Sequence, residues 1–375
     1  MVYLLFSLLP FIQIGINWWI GIPLFCLILL LISLKFGSNS EINFAFFGFL
    51  AGSIILATAI NSSGDTRELL RALRELLVFL FMLLALSPIV FKDRKFLPEK
   101  MIRILCLVSL SILLLTLFQF VAIRSGYTFS LPESWYPRKL FTPTSLDFNY
   151  SQIRPSATFT EPSYLGLFSY AILTMGVLLR RKYQNANFLI YTSVVTIALS
   201  QSKSGILFSC LLFSSLFIAN LRNRNIESLR ISTVLPLISI LVVILFLFNF
   251  QGLGESASVQ DRILIPTQIV FHFFLSHPFG IPYYQRLELP VLQLETTNWF
   301  ALSHNGLLNL IFDYGILGVI VIITISLALR NDGVLFLFFI YLGIQNGSFL
   351  DFDKAVLALS VTIFLRTCRS LVKLS

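Results

Sequence analysis

Ile104-Leu105-Cys106-Leu107-Val108-Ser109-Leu110-Ser111-Ile112-Leu113-Leu114-Leu115-Thr116-Leu117-Phe118-Gln119-Phe120-Val121-Ala122-Ile123 is a run of 20 residues without a charge, bounded by Arg103 and Arg124. Coiled as a helix at about 1.5 Å per residue, it is roughly 30 Å long, the thickness of a bilayer's hydrocarbon core. The spacing therefore predicts a membrane span near 101–123. Similar apolar runs, separated by polar punctuation, fall near 1–16, 18–35, 42–60, 70–91, 162–179, 186–200, 204–221, 231–250, 305–329, 333–349 and 354–369. Lipid offers the backbone no hydrogen bonds, so these runs should be helices that satisfy their own amide groups. The expected fold is all-α, a polytopic integral membrane helix bundle of about 12 transmembrane helices forming one domain over residues 1–375.

Composition agrees with that solvent. Hydrophobic residues make up 57% of the chain and charged residues only 12%, against about 25% in a soluble domain, and mean hydropathy is +0.86. A formal charge of +9 would point to nucleic acid in a soluble protein, but the basic residues here cluster between apolar runs, as they do at the cytoplasmic ends of membrane helices. The expected surroundings are therefore a lipid bilayer, with no nucleic acid. Cys26, Cys106, Cys210 and Cys368 are scattered singly, without the close pairs of a metal or redox motif. The first run opens Met1-Val2-Tyr3 with neither a basic leader nor a small-residue cleavage pattern, and reads as a retained span.

Placing both termini in the cytoplasm puts Lys35, Lys92, Arg94, Lys95, Lys100, Arg103, Arg180, Arg181, Lys182, Arg222, Arg224, Arg230, Arg330, Arg366, Arg369 and Lys373 on that side. That is 16 of 27 basic residues with only 5 of 18 acidic ones, the bias the positive-inside rule expects. Two long loops, 124–161 and 251–303, then face away from the cytoplasm. The second contains Gln260–Ser276, whose mixed apolar and polar pattern predicts an interfacial amphipathic helix. Loops of this length are often functional.

The residues able to carry chemistry gather at or near that side. After the second loop comes Ser303-His304-Asn305-Gly306-Leu307-Leu308-Asn309-Leu310-Ile311-Phe312-Asp313-Tyr314-Gly315. In a helix, Asn305, Asn309 and Asp313 share one face, which must point into the bundle or a wet cavity rather than at lipid. That face is either a structural seam or part of a site. His304 titrates near neutral pH and suits a general base. The turn Ser200-Gln201-Ser202-Lys203-Ser204-Gly205 carries one lysine where positive charge is disfavoured. Lys203 is either a phosphate-binding point charge or a snorkelling side chain. Arg262 is likewise an anion ligand or a solvated helix-face residue.

Near the end of the first loop, Arg154-Pro155-Ser156-Ala157-Thr158-Phe159-Thr160-Glu161-Pro162-Ser163-Tyr164-Leu165-Gly166 reads as a helix start, with Thr160 as cap and Glu161 and Pro162 in the first turn. Arg154 and Glu161 are also candidates to hold an acceptor sugar or each other. Arg67, Arg71 and Arg74 share a helical face with Glu68 and Glu75 as local partners, and either bind a pyrophosphate or neutralise those acids. The chain has no Cys/His metal cluster, phosphate-binding glycine loop or nucleophile elbow. Asp351 and Asp353 are too weak a pattern for a metal site. Neither metal nor cofactor is expected.

Four segments together resemble the O-antigen polymerase and O-antigen ligase superfamily, the Wzy and WaaL type proteins of bacterial surface-polysaccharide assembly. They are Thr158-Phe159-Thr160-Glu161-Pro162-Ser163, Leu199-Ser200-Gln201-Ser202-Lys203-Ser204-Gly205, Arg262 followed by His277-Pro278-Phe279-Gly280, and His304-Asn305 followed by Asp313-Tyr314-Gly315-Ile316-Leu317-Gly318. The resemblance implies a metal-independent inverting glycosyltransferase in the bacterial inner membrane, acting at the periplasmic face on an undecaprenyl-diphosphate-linked glycan. It implies His304 as base and Arg262 as diphosphate ligand, with flippase and chain-length regulator proteins as partners. The turn position of Lys203 is often arginine in the family, so its role as a second diphosphate ligand loses the bidentate fork. Glu161-Pro162-Ser163 looks more like the polymerase branch than the ligase branch, which transfers glycan to lipid A-core. A reading from another class is a transporter of a small anion or saccharide with a midplane site; no inverted repeat supports it, and the suggestive residues collect at one face.

Overall fold

The computed structural model of the protein describes residues 98–127, 154–159, 162–180, 183–221, 265–281, 305–329 and 332–345. They form eight α-helices and no strand: α1 Pro98–Arg124, α2 Pro162–Leu179, α3 Ala186–Ser200, α4 Lys203–Leu221, α5 Ile265–Phe274, α6 Gly306–Tyr314, α7 Ile316–Ala328 and α8 Gly333–Gly343. Two are long and apolar enough to cross a membrane, Ile102–Arg124 and Pro162–Leu179. The runs expected near 1–16, 18–35, 42–60, 70–91, 231–250 and 354–369 lie outside the described residues.

The helices fall into two compact units, α1–α4 and α5–α8. In the first, α2 is the central helix. Its sequence is apolar on all sides, so no face favours a polar solvent, and 17 of its residues from Pro162 to Leu179 are buried. It turns back through Tyr183–Asn185 into α3, and the two pack closely where Gly176 leaves room for Ala186, Leu189 and Ile190. Helix α1 runs alongside α3: the Cys106 thiol reaches the Asn185 carbonyl, and Ser109 and Thr192 share a 2.6 Å hydroxyl hydrogen bond. The Tyr170 and Phe208 rings meet edge to face at 6.2 Å, joining α2 to α4.

Helix α1 is turned inside out relative to a soluble helix. Ser109, Thr116 and Gln119 are buried to within 3% exposure, whereas Leu107, Leu114, Phe118 and Val121 are each more than 50% exposed. In water, burial would run the other way. Lipid removes the drive to hide apolar groups and leaves the polar ones needing partners, so polar side chains turn inward. Five buried hydroxyls meet that need within their own helices: Thr116 donates to the Ile112 carbonyl, Thr174 to Tyr170, Thr196 to Thr192, Ser209 to Gly205 and Ser215 to Leu211. The first unit is thus an apolar-jacketed helix bundle with a polar seam, the arrangement of a membrane protein.

In the second unit the apolar run 305–329, expected as one span, is two helices broken at Gly315. An unbroken helix would pair the Ile316 N–H with the Phe312 carbonyl. Here the Ile316 N–H donates to the Pro278 carbonyl and the Phe312 carbonyl accepts from the Ile281 N–H, both at 2.8 Å. The turn after α5 therefore takes over one N–H and one carbonyl that the break releases, which helps to permit a break in an apolar helix. Two glycines allow the approach: a Cβ on Gly280 would land on the Asp313 carbonyl, and one on Gly315 would land on that of Pro278. Gly315 also holds φ at 55° with ψ at −128°, outside the range of most L-residues. Val270, Ile281 and Phe312 form the small core beneath this turn. Helix α8 is capped by Asp332, whose carboxylate accepts the Leu335 N–H at 3.0 Å, and Leu307 of α6 packs onto Gly343.

Candidate functional site

The course of the first unit decides which of its residues meet. Helix α2 starts where α3 ends, because the two form an antiparallel hairpin, and α4 begins immediately after α3. Helix α1 runs parallel to α3, so its C-terminal end reaches the same level. Gln119 of α1 accordingly binds the segment just ahead of α2: its Oε1 accepts the Ser156 N–H at 3.0 Å and the Ala157 N–H at 2.7 Å, and its Nε2 donates to the Ala157 carbonyl at 3.1 Å. Arg154, half-buried, and Lys203, exposed, are thereby brought to one end of the unit. Arg180 and Asn185 lie at the other end.

The turn expected over Ser200–Gly205 is tighter than its length implies. Gln201 adopts the left-handed conformation that closes α3, and its N–H reaches the Ala198 carbonyl. Ser202 then caps α4, accepting the Gly205 N–H on its hydroxyl at 3.2 Å. Lys203 is consequently the first residue of α4 rather than a loop residue. A cation there sits beside the positive end of the helix dipole, an arrangement unfavourable to helix stability and favourable to an anion.

In the second unit, Asn305 caps α6, its side-chain oxygen accepting the Leu308 N–H at 3.1 Å from an extended backbone. Asn305, Asn309 and Asp313 are all buried, as the shared helical face required. The fourfold spacing therefore marks an inward polar face. Helix α5 fills the centre of the amphipathic stretch expected over 260–276, with Phe271 and Leu275 exposed and Val270 in the core. His277, in the turn after α5, is exposed, and its Nδ1 lies 2.9 Å from the Ser276 hydroxyl. The His277–Gly280 and Asp313–Gly315 segments, far apart in sequence, meet in the backbone exchange at the α6–α7 break.

His304, Arg262, Glu161, Arg67, Arg71 and Arg74 lie outside the described residues, as do Thr160 and most of both long loops. Among the described residues, no group of three or more His, Cys, Asp or Glu side chains is placed to hold a metal ion. Gln119 is a further functional candidate, brought out by its hydrogen bonds to Ser156 and Ala157. Its signal was a lone amide in an uncharged run, since such a group in a membrane helix turns toward protein.

These features define a helical membrane protein with buried polar faces close to its helix ends. Residues 188–323 match the family model described as O-Antigen ligase, so this region is similar to the O-antigen polymerase and ligase superfamily. Its members are glycosyltransferase-like enzymes, polymerases or ligases, and the match connects the region to O-antigen and lipopolysaccharide biosynthesis without separating the two branches. The matched segment runs from α3 into α7 and includes Lys203, Arg262, His277–Gly280, His304 and Asp313–Gly315. A comparison with curated proteins finds no match.

Proposed function

We propose that the protein is a polymerase of lipid-linked oligosaccharide repeat units, for O-antigen or exopolysaccharide, carrying out metal-independent inverting glycosyl transfer from an undecaprenyl-diphosphate donor. It is a multi-pass protein of the bacterial inner membrane with about 12 transmembrane helices, two long periplasmic loops and its site facing the periplasm. The observation that carries the reading is the family match over 188–323, which encloses Lys203, Arg262 and His304 in one segment. His304 takes the proton from the acceptor hydroxyl as that oxygen attacks the anomeric carbon, and the diphosphate leaves from the opposite face. Arg262 and Lys203 stabilise the charge on the leaving diphosphate. The placement of Lys203 at the start of α4 supports that role. Arg154, Glu161, Asn305, Asp313, Arg67, Arg71 and Arg74 are the substrate-binding candidates. A ligase transferring glycan to lipid A-core is the second reading, favoured by the description of the matched family. Glu161-Pro162-Ser163 favours the polymerase.

Purified protein in lipid vesicles is supplied with lipid-linked repeat units from a strain lacking the gene, without nucleotide sugar and with a chelator present. Chain extension supports the polymerase. Transfer only to added lipid A-core supports the ligase, and coupled saccharide uptake without any transfer refutes both. His304→Ala should slow extension by about 10²–10⁴-fold while donor still binds. Arg262→Ala should weaken both donor binding and turnover, with partial rescue by lysine. Well-folded His304→Ala protein that extends chains at the wild-type rate would remove His304 as the base.

A further inference from the structure

We propose that Gln119 is a positioning residue for glycan transfer: it holds Ala157 of the Arg154–Phe159 turn in the left-handed conformation and so places Arg154 and Thr158 for contact with the saccharide. The inference rests on the transferase reading above. Gln119 is 2% exposed and spends three hydrogen bonds on two backbone residues nearly forty positions away. Those bonds hold Ala157, itself fully buried, at φ 53°. A left-handed backbone is unfavourable for alanine and free of that cost for glycine. The turn is closed by the Phe159 N–H on the Ser156 carbonyl at 3.0 Å, and the Phe159 ring rests on Phe168 of α2 at 5.4 Å.

A plain connection into α2 needs none of this. Strained backbone that its surroundings over-determine clusters at sites where geometry matters. A second observation points to a ligand. Thr158, immediately after the strained alanine, is 4% exposed, and its hydroxyl has no hydrogen-bond partner among the described residues. Buried hydroxyls are nearly always paired, and one left open in a held turn suits a sugar hydroxyl. The turn also lies at the end of the unit that carries Lys203, the one diphosphate candidate among the described residues. Saccharide contacts at Arg154 and Thr158 would thus adjoin the end where the leaving group is held.

The test measures transfer by full-length protein in vesicles across a range of concentrations of lipid-linked repeats, extracted from a strain lacking the gene. Gln119→Leu keeps the side chain's size and removes all three hydrogen bonds. It should lower kcat/KM by about tenfold, the weight of one left-handed residue without its support, mainly through KM. Ala157→Gly added to Gln119→Leu should recover about fivefold of that loss, because glycine takes the required shape unaided. Wild-type kinetics in folded Gln119→Leu protein would overturn the proposal. So would a loss that tracks a lowered melting temperature and is not relieved by Ala157→Gly, since that marks Gln119 as packing alone. If wild-type protein transfers no glycan to any acceptor, the transferase reading has failed, and this proposal falls with it.

Discussion

Replacing Gly315 with alanine tests the account of the broken helix most directly. Two separable costs arise. The first is conformational: a φ of 55° with ψ of −128° is a region that side-chain-bearing residues rarely occupy, at about 1–3 kcal/mol. The second is steric, because the new Cβ would land on the Pro278 carbonyl. That neighbour is backbone, already accepting the Ile316 N–H, and no flexible side chain can move aside. Separating the segments strands the Ile316 N–H and the Phe312 carbonyl in an apolar setting, at about 1–3 kcal/mol for each buried group left unpaired. The sum is roughly 3–9 kcal/mol, a large share of the roughly 5–15 kcal/mol typical of a folded domain. Gly126 provides the control. It has φ 80° but nothing within 4 Å of an added Cβ, so Gly126→Ala should cost only about 1–2 kcal/mol. Thermal unfolding of detergent-extracted protein, followed by a thiol-reactive dye, should show a much larger fall for Gly315→Ala than for Gly126→Ala. Equal melting of the two variants would mean that the exchange with the Pro278 turn is not what holds the break.

Single cysteines on a cysteine-free background should react with an impermeant thiol reagent from the periplasmic side at positions 143 and 285, and not at 94, 185 or 224; the reverse labelling would place the proposed site in the wrong compartment. Ser109→Ala should destabilise the bundle by about 0.5–1.5 kcal/mol, measured by the same unfolding assay, because Thr192 retains a hydrogen bond to the Phe188 carbonyl when its partner is lost. A loss well above that range would show that the pair stands within a larger network.

Much of the helical framework was legible along the chain. The bounds of α2 and α3 coincide with the apolar runs 162–179 and 186–200, because Pro162 and the polar Arg180–Asn185 stretch interrupt an otherwise continuous signal. Helix α5 was visible in its alternating faces. The inward set Asn305, Asn309 and Asp313 followed from a period of four residues in a segment too apolar to leave them facing lipid. The motifs that carry the family resemblance could also be read directly.

The break at Gly315 could not. Hydrophobicity continues through Asp313-Tyr314-Gly315-Ile316, and a lone glycine in a helical run is compatible with an intact helix. The break forms because the Pro278 carbonyl and the Ile281 N–H arrive from another part of the chain to replace the helix's own partners. The partners of Gln119 were hidden for the same reason, being two backbone residues of the distant loop. The difference is one of range. Apolar length and helical period are carried by neighbouring residues, so sequence alone determined that the chain builds lipid-embedded helices and which faces turn inward. Hydrogen-bond partners brought in from far along the chain exist only after the helices have packed, so tertiary structure alone decided where a helix breaks, which turn is held in a strained shape, and which cations share one end of a bundle.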